Sequence, residues 1–295
     1  MIIFHIIILY IINMKYIGAH ISKDTTIMKT IQNMCNNNGN ALQIFVSSPM
    51  NSSLPNIDKI LKESKNIKEY LKDNNFKLVV HGSYVINLAN SKINKRSVDI
   101  QDRWWINLLT KELDAANILN AEGVVLHVGK YTTNSISDST NIMYDSIKYI
   151  IDYIKKNNYN TKLILETPAG AGTELLTDID DFINFYNKFT LNEKKHFTIC
   201  LDTAHIWSSG YDINEYYKKI KTIREYISVI HLNNSKVKKG SNVDRHEFID
   251  IGLIKKQDLE TFLKNIKTNP LIILEKPTTN YIDEIDWICK NLMNQ

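Results

Sequence analysis

Eight short apolar runs, each followed by an amphipathic stretch of helical length, predict an α/β protein built as a single (β/α)8 barrel. Three observations carry that expectation. The runs are almost wholly apolar rather than alternating, as expected for parallel strands covered on both faces. The stretches between them are long enough for crossover helices. The chain has 295 residues with no Pro-, Gly- or Ser-rich break, and a barrel of this kind takes about 250.

The expected strands are Tyr16–Ala19, Ala41–Val46, Lys77–Val80, Gly123–Leu126, Thr161–Leu165, Thr198–Leu201, Ile227–Ile230 and Leu271–Leu274. The helical stretches that follow them are Asp24–Asn37, Ile57–Asn74, Ser97–Asn120, Ser139–Asn157, Asp178–Phe189, Asn214–Tyr226, Lys255–Ile266 and Ile282–Leu292. Ser97, Asp178 and Asn214 are expected N-caps, since their side chains can accept from the free N–H groups of a first turn. Eight units favour a closed TIM barrel over an open doubly wound sheet.

Composition narrows the class further. Hydrophobic residues make up 43% and charged residues 23%, values of an ordinary globular domain. The net charge of +4 is a mild tilt toward anionic partners, not the charge of a nucleic-acid tail. Three scattered cysteines, Cys35, Cys200 and Cys289, form no C-x-x-C. They argue for an intracellular, reducing compartment and against secretion, a disulfide framework or a Cys-ligated zinc. The opening apolar run Ile2–Ile12 is about half the roughly 20 residues that span a bilayer. No basic residue precedes it and no small-residue cleavage site follows. Residues 1–13 therefore read as an apolar extension, with the barrel domain over 14–295, and no membrane partner is expected.

The chemistry sits at the strand ends. Strand three ends in VVHG with His81, strand four in VVLHVG with His127, and strand five in LILETP with Glu166. Strand six runs into CLDTAH, with Asp202 and His205; strand seven ends in VIHLN, with His231; strand eight ends in IILEKP, with Glu275. A loop after strand seven adds VDRH, with Asp244 and His246. Each alone is more often a structural polar group. In a barrel, however, all C-terminal strand ends surround one mouth. Five of the eight histidines and four carboxylates would share that face. Partly buried charges with no Lys or Arg at matching positions are costly unless metal ions compensate them. Imidazoles with carboxylates and no thiolate suit zinc, ahead of manganese or iron. Asp244 and His246, two apart in an extended segment, point the same way and can serve one ion.

From about Tyr16 to about Glu275 the chain resembles the endonuclease IV family of apurinic/apyrimidinic endonucleases. IGAHIS, HGSYVINLAN, VVLHVG, LILETPAGAG, CLDTAHIWSSGYD, VIHLNNSK, GSNVDRHEF and IILEKP carry the resemblance through their order and spacing. It implies a zinc-dependent DNA repair enzyme that cuts double-stranded DNA on the 5′ side of abasic sites, leaving a 3′-hydroxyl and a 5′-deoxyribose phosphate. A 3′-repair phosphodiesterase activity and a monomeric state are implied as well. It also implies three zinc ions per chain. His81, His127 and Glu166 would hold one; Glu166 would bridge to a second, held also by Asp202, His231 and Glu275; His205, Asp244 and His246 would hold the third. Glu275 and Glu166 are the implied catalytic groups, with Glu275 orienting or deprotonating the nucleophile. Tyr84 and Val85 match positions that push into DNA at the lesion, and His20 matches a supporting one. The family's Lys, Asn and Arg after strand two are missing from FVSSPMNSS, which leaves the contact made there in question. Lys236, Lys238 and Lys239 are candidate phosphate contacts. A divalent-metal sugar isomerase or epimerase on the same barrel is the competing expectation, and a non-catalytic damage-binding barrel a third. One or two exchangeable ions would favour the isomerase, and three zincs the nuclease.

Overall fold

The computed structural model describes residues 15–276, 278 and 280–293. The expected extension over residues 1–13 lies outside the described residues. Eight parallel strands close into a barrel in sequence order. They are β1 (Tyr16–His20), β2 (Ala41–Ile44), β3 (Lys77–His81), β4 (Gly123–Leu126), β5 (Lys162–Glu166), β6 (Phe197–Asp202), β7 (Ile227–His231) and β8 (Leu271–Leu274). Leu271 of β8 pairs with Tyr16 of β1, which closes the ring.

Helices α1 (Ile27–Cys35), α2 (Ile57–Asp73), α3 (Trp104–Ile118), α4 (Ile136–Lys156), α5 (Ile179–Asn187), α6 (Thr203–Ser208), α7 (Ile213–Lys219), α8 (Lys256–Asn265) and α9 (Ile282–Met293) surround it. Asn residues end several of them. Asn38, Asn75, Asn120 and Asn158, just past α1, α2, α3 and α4, take φ of 62°, 46°, 58° and 53°. The left-handed conformation that stops a helix usually falls to Gly, with Asn the next choice.

Four helix starts differ from expectation. α1 begins at Ile27 rather than Asp24, because the Thr26 hydroxyl accepts from Lys29 N. Ser97 pairs with Lys92 in a short antiparallel ladder, because Asn94 and Lys95 adopt positive φ and turn the chain back. The helix begins only at Trp104, with no side-chain cap. α4 starts earlier, at Ile136, because the Ser135 hydroxyl accepts from Asp138 N. Asp212 rather than Asn214 caps α7, its carboxylate accepting from the N–H groups of both Asn214 and Glu215. Asp178 caps α5 as expected.

The core has two parts. Outward-facing strand residues and the inner faces of the helices form the larger one. The barrel interior holds Ala41, Val79, Val125, Ile164, Cys200, Val229, Leu271 and Ile273. Strand side chains repeat every two residues. Two positions on from Val79, Val125, Ile164, Cys200, Val229 and Ile273 come His81, His127, Glu166, Asp202, His231 and Glu275. The apolar layer thus forms the floor of a polar layer.

One carboxylate outside that layer is fully buried. Glu112 of α3 has no exposed surface. It accepts from Ser83 N at 3.1 Å and from the Ser47 hydroxyl. Burial pushes its carboxyl up to about 7, against the two serine hydrogen bonds and the nearby His81. The raised pKa means that Glu112 favours the folded state below its unfolded pKa, near 4.5. This contribution, on the order of 3 kcal/mol, is lost as pH rises through 7. Glu112→Gln removes the titration, so thermal melts should show the variant gaining on the parent between about pH 5 and pH 8. Parallel melting curves would contradict this.

Candidate metal centre at the barrel mouth

Every barrel strand delivers one polar side chain to the mouth, at its last position or close to it. His20, Gln43, His81, His127, Glu166, Asp202, His231 and Glu275 come from β1 to β8 in turn. His205 and His246 arrive by other routes. Asp202 is both the end of β6 and the N-cap of α6, its Oδ1 accepting from His205 N at 2.8 Å. A cap of this kind contributes about 1 kcal/mol. Here it also fixes where the His205 ring enters the site. His246 lies in a two-residue ladder with Ser235, on the loop after β7.

The side chains converge into groups spaced as metal ligands are. His81, His127 and Glu166 form one, and Glu166, Asp202, His231 and Glu275 another. Asp202, His205 and His246 form a third, with Asp244 completing its edge. Asp244 oxygens lie 3.3 Å from His205 Nε2 and 3.0 Å from His246 Nε2. Glu166 is common to two groups, 3.2 Å from His127 Nε2 through Oε2 and 2.8 Å from His231 Nδ1 through Oε1. Asp202 is also common to two groups, 3.7 Å from His231 Nδ1 and 3.6 Å from His246 Nε2. The resemblance allots Asp202 to the bridged pair alone; in space it borders the third group as well.

The histidine tautomers are set from behind. His81 Nδ1 faces the Gly82 carbonyl at 2.8 Å, His205 Nδ1 that of Thr167 at 2.8 Å, and His246 Nδ1 that of Glu275 at 2.7 Å. A carbonyl only accepts, so each Nδ1 carries a proton and Nε2 is the nitrogen left to face the mouth. His231 is reversed. Its Nε2 donates to Gln43 Oε1 at 3.0 Å, leaving Nδ1 toward Glu166 and Glu275. Glu166 Oε2, His205 Nε2 and His246 Nε2 are buried without an aligned hydrogen bond. Close approach without alignment suits lone pairs aimed at shared ions, and unsatisfied buried polar atoms are otherwise costly. The donor set therefore fits divalent metal.

The electrostatics agree. Burial alone would raise Glu166, but His231, His127 and His205 hold its carboxyl well below the usual range. Glu275 is likewise held low against burial, chiefly by His231 and His20. Burial would lower His205, yet Asp202, Glu166 and Asp244 keep it well above an ordinary imidazole. His246 is raised to about 9 against burial, by Asp202 and Asp244. The protein alone thus offsets ionised carboxylates with imidazoles, a role that cations of higher charge can take over.

Gln43 and Asn233 also belong to the cluster at the mouth, and the strand-end search missed them. Gln43 Nε2 donates to Glu275 Oε1 at 2.6 Å while its oxygen holds His231. Asn233 Nδ2 donates to Asp202 Oδ2 at 2.8 Å, and its Oδ1 accepts from Glu275 N at 2.8 Å. A polar residue inside the apolar run Ala41–Ile44, in phase with Ala41, was the available signal for Gln43. Cys200 stands beneath His231, its thiol pushed up to about 12 by burial, and its sulfur lies within metal-ligand spacing of Glu166 and His231. Lys276 is also buried, but it pairs with Glu284 and lies over the Phe248 ring.

The expected DNA-facing residues divide. Tyr84 is 51% exposed at the rim, with its ring centroid 5.3 Å from that of His81 and 5.5 Å from that of His127. Val85 is half-buried and packs against the core. Lys236, Lys238 and Lys239 are exposed; Lys236 sits 3.7 Å from Glu247, and Lys239 lies over Trp207.

A family described as a xylose isomerase-like TIM barrel matches residues 38–291. A Mycoplasmopsis agalactiae protein named probable endonuclease 4 is 32% identical over 273 residues, covering 88% of this chain and 91% of its own. The chain belongs to the endonuclease IV family. Its fold matches the crystal structure of endonuclease IV from Thermus thermophilus with a TM-score of 0.70 at 20% identity, covering 95% of this chain and 98% of that one. A D-tagatose 3-epimerase-like protein matches equally well, with a TM-score of 0.71 at 19% identity, covering 95% and 97%. The barrel therefore does not by itself separate DNA cleavage from sugar chemistry; the side chains at the mouth must.

Gln43→Leu keeps the volume but leaves His231 Nε2 without its acceptor. It should weaken metal binding by about 10- to 100-fold, read by competition with a chromophoric chelator. Unchanged affinity would exclude Gln43 from the centre.

Proposed function

We propose that the chain is a zinc-dependent endonuclease that hydrolyses the phosphodiester bond on the 5′ side of an abasic site in double-stranded DNA. The products would be a 3′-hydroxyl and a 5′-deoxyribose phosphate. The observation that carries this reading is the convergence of five imidazoles and four carboxylates on one mouth, in a chain akin to a probable endonuclease 4. His81, His127 and Glu166 would hold a first zinc. Glu166, Asp202, His231 and Glu275 would hold a second. His205, Asp244 and His246 would hold a third, with Asp202 beside it. Bound zinc would supply Lewis-acid polarisation of the phosphate and a water of lowered pKa.

The chain's own residues do the rest. Glu275, kept ionised, accepts a hydrogen bond from the attacking water and orients it. Gln43 and Asn233 hold that carboxylate at both oxygens, at 2.6 and 3.4 Å. Asn233 also ties it to Asp202, so water position and ligand position are set together. Tyr84 meets the His81 ring edge-on and lies tilted against the His127 ring, at the rim of the mouth where DNA would arrive. A 3′-repair phosphodiesterase activity would use the same groups, and the protein would act as a monomer in a reducing compartment. Among the described residues no helix is long and apolar enough to cross a membrane.

Sugar isomerisation is the second reading, favoured by the epimerase-like neighbour. Metal stoichiometry and substrate separate the two. A duplex with one abasic analogue should be nicked on the lesion's 5′ side by the zinc-loaded protein without magnesium, and a lesion strand left uncut on a denaturing gel would refute the assignment. Glu275→Gln should abolish nicking, a loss of at least about 100-fold, while lesion binding survives. Full activity in that variant would remove Glu275 from the reaction.

A further inference from the structure

Among the described residues, His246 is the one imidazole of the ligand groups that stands at no barrel-strand end and on no helix. Its ladder with Ser235 is two residues long, and a ladder of that length is weak support by itself. The segment is held instead from the β8 side, at residues 246, 248 and 249. His246 Nδ1 donates to Glu275 O at 2.7 Å. The Lys276 ammonium lies over the Phe248 ring, 3.8 Å from its centroid. Ile249 N donates to Glu284 Oε1 at 2.8 Å, and the other oxygen of Glu284 pairs with Lys276. The Tyr281 hydroxyl donates to Lys276 O at 2.8 Å, which fixes the lysine's own backbone. From the opposite side Asn234 Nδ2 donates to Ile249 O at 2.8 Å. The Lys276 and Glu284 side chains are only 4% and 11% exposed. Burying an ion pair costs the hydration of both charges, and apolar residues of like volume often serve stability as well or better. What this pair adds is geometry, because it grips a ring and a main-chain N–H of one loop together.

We propose that Lys276, paired with Glu284, is a positioning residue that clamps residues 246–249 onto the end of β8 and so fixes His246 against Asp202 and Asp244 in the third ligand group. The clamp presupposes the zinc reading above. His246 Nε2 lies 3.6 Å from Asp202 Oδ2 and 3.0 Å from Asp244 Oδ1. A shift of the loop by about 1 Å would take that nitrogen away from an ion the three residues share. The other two groups draw on strand ends and do not depend on the loop. The clamp therefore acts on one ion of three.

The test loads the full-length protein with zinc, counts metal per chain and titrates it against a chromophoric chelator, with thermal melts in parallel. The parent should hold three zincs. Lys276→Met keeps the buried stem but takes the ammonium from Phe248 and the partner from Glu284. It should hold two zincs at the parent's affinity and the third about 10- to 100-fold more weakly. Adding Glu284→Gln to Lys276→Met keeps an acceptor for Ile249 N and removes the lone buried charge. The melting midpoint should then return toward the parent's while the third zinc stays weakened, a split that a pair serving the fold alone would not give. If Lys276→Met does not fold, the double variant carries the same comparison with the parent. Three zincs at the parent's affinities in the variants would overturn the clamp. Weakening spread over all three ions would overturn it too, as would a third zinc restored in step with the melting midpoint. A parent that holds fewer than three zincs refutes the zinc reading and the clamp with it, whereas a parent with three and unaltered variants refutes the clamp alone.

Discussion

The rest of the structure depends on Glu166. It is a carboxylate buried at the end of a central strand, with imidazoles on several sides and one oxygen left without an aligned partner. A group of this kind cannot be ionised in an apolar interior unless positive charge is arranged around it. His127, His205 and His231 crowd it; His205 is held in turn by the Thr167 carbonyl and His231 by the Gln43 side-chain amide. The barrel solves the geometric side of the problem. Eight strands that end together can bring eight side chains to one small volume with rigid spacing.

The two-residue strand period explains why the site is layered. The inward position below each polar residue is small or apolar, Val79 under His81 and Ile164 under Glu166, and the plug they form excludes water from beneath. Low dielectric below strengthens every electrostatic interaction above it. Cys200 is part of the same plug, and burial there raises the pKa of its thiol.

Support from behind matters as much as the ligand atoms. Four imidazoles present a defined nitrogen because the other nitrogen is committed. Three are committed to main-chain carbonyls, which follow from the fold, and one to the Gln43 side chain. Asn233 and Thr203 hold the segment from Asp202 to His205 against β7. Thr203 Oγ1 donates to Asn233 O at 2.6 Å and accepts from Asn233 N at 2.9 Å. That brace fixes the turn between Asp202 and His205, and with it the spacing of two ligand groups.

The sequence by itself determined the barrel, all eight strands and nine of the polar residues at the mouth, because most of these end or follow apolar runs, which is a local pattern. It also placed Asp178 as a cap. It misplaced the starts of the helices after strands one, three, four and six, where a hairpin turn and competing caps at Thr26, Ser135 and Asp212 decided the boundary. Tertiary structure alone decided which nitrogen each histidine offers, since that depends on carbonyls far along the chain. It alone made Asp202 a neighbour of two groups: a helical turn begins at that residue and folds His205 back over it. The roles of Gln43 and Glu112 likewise emerge only in space. Gln43 hides inside an apolar strand, and the partners of Glu112 come from two loops, 65 and 29 residues away in sequence. Local pattern records what a residue is; hydrogen bonding between distant segments settles what it does.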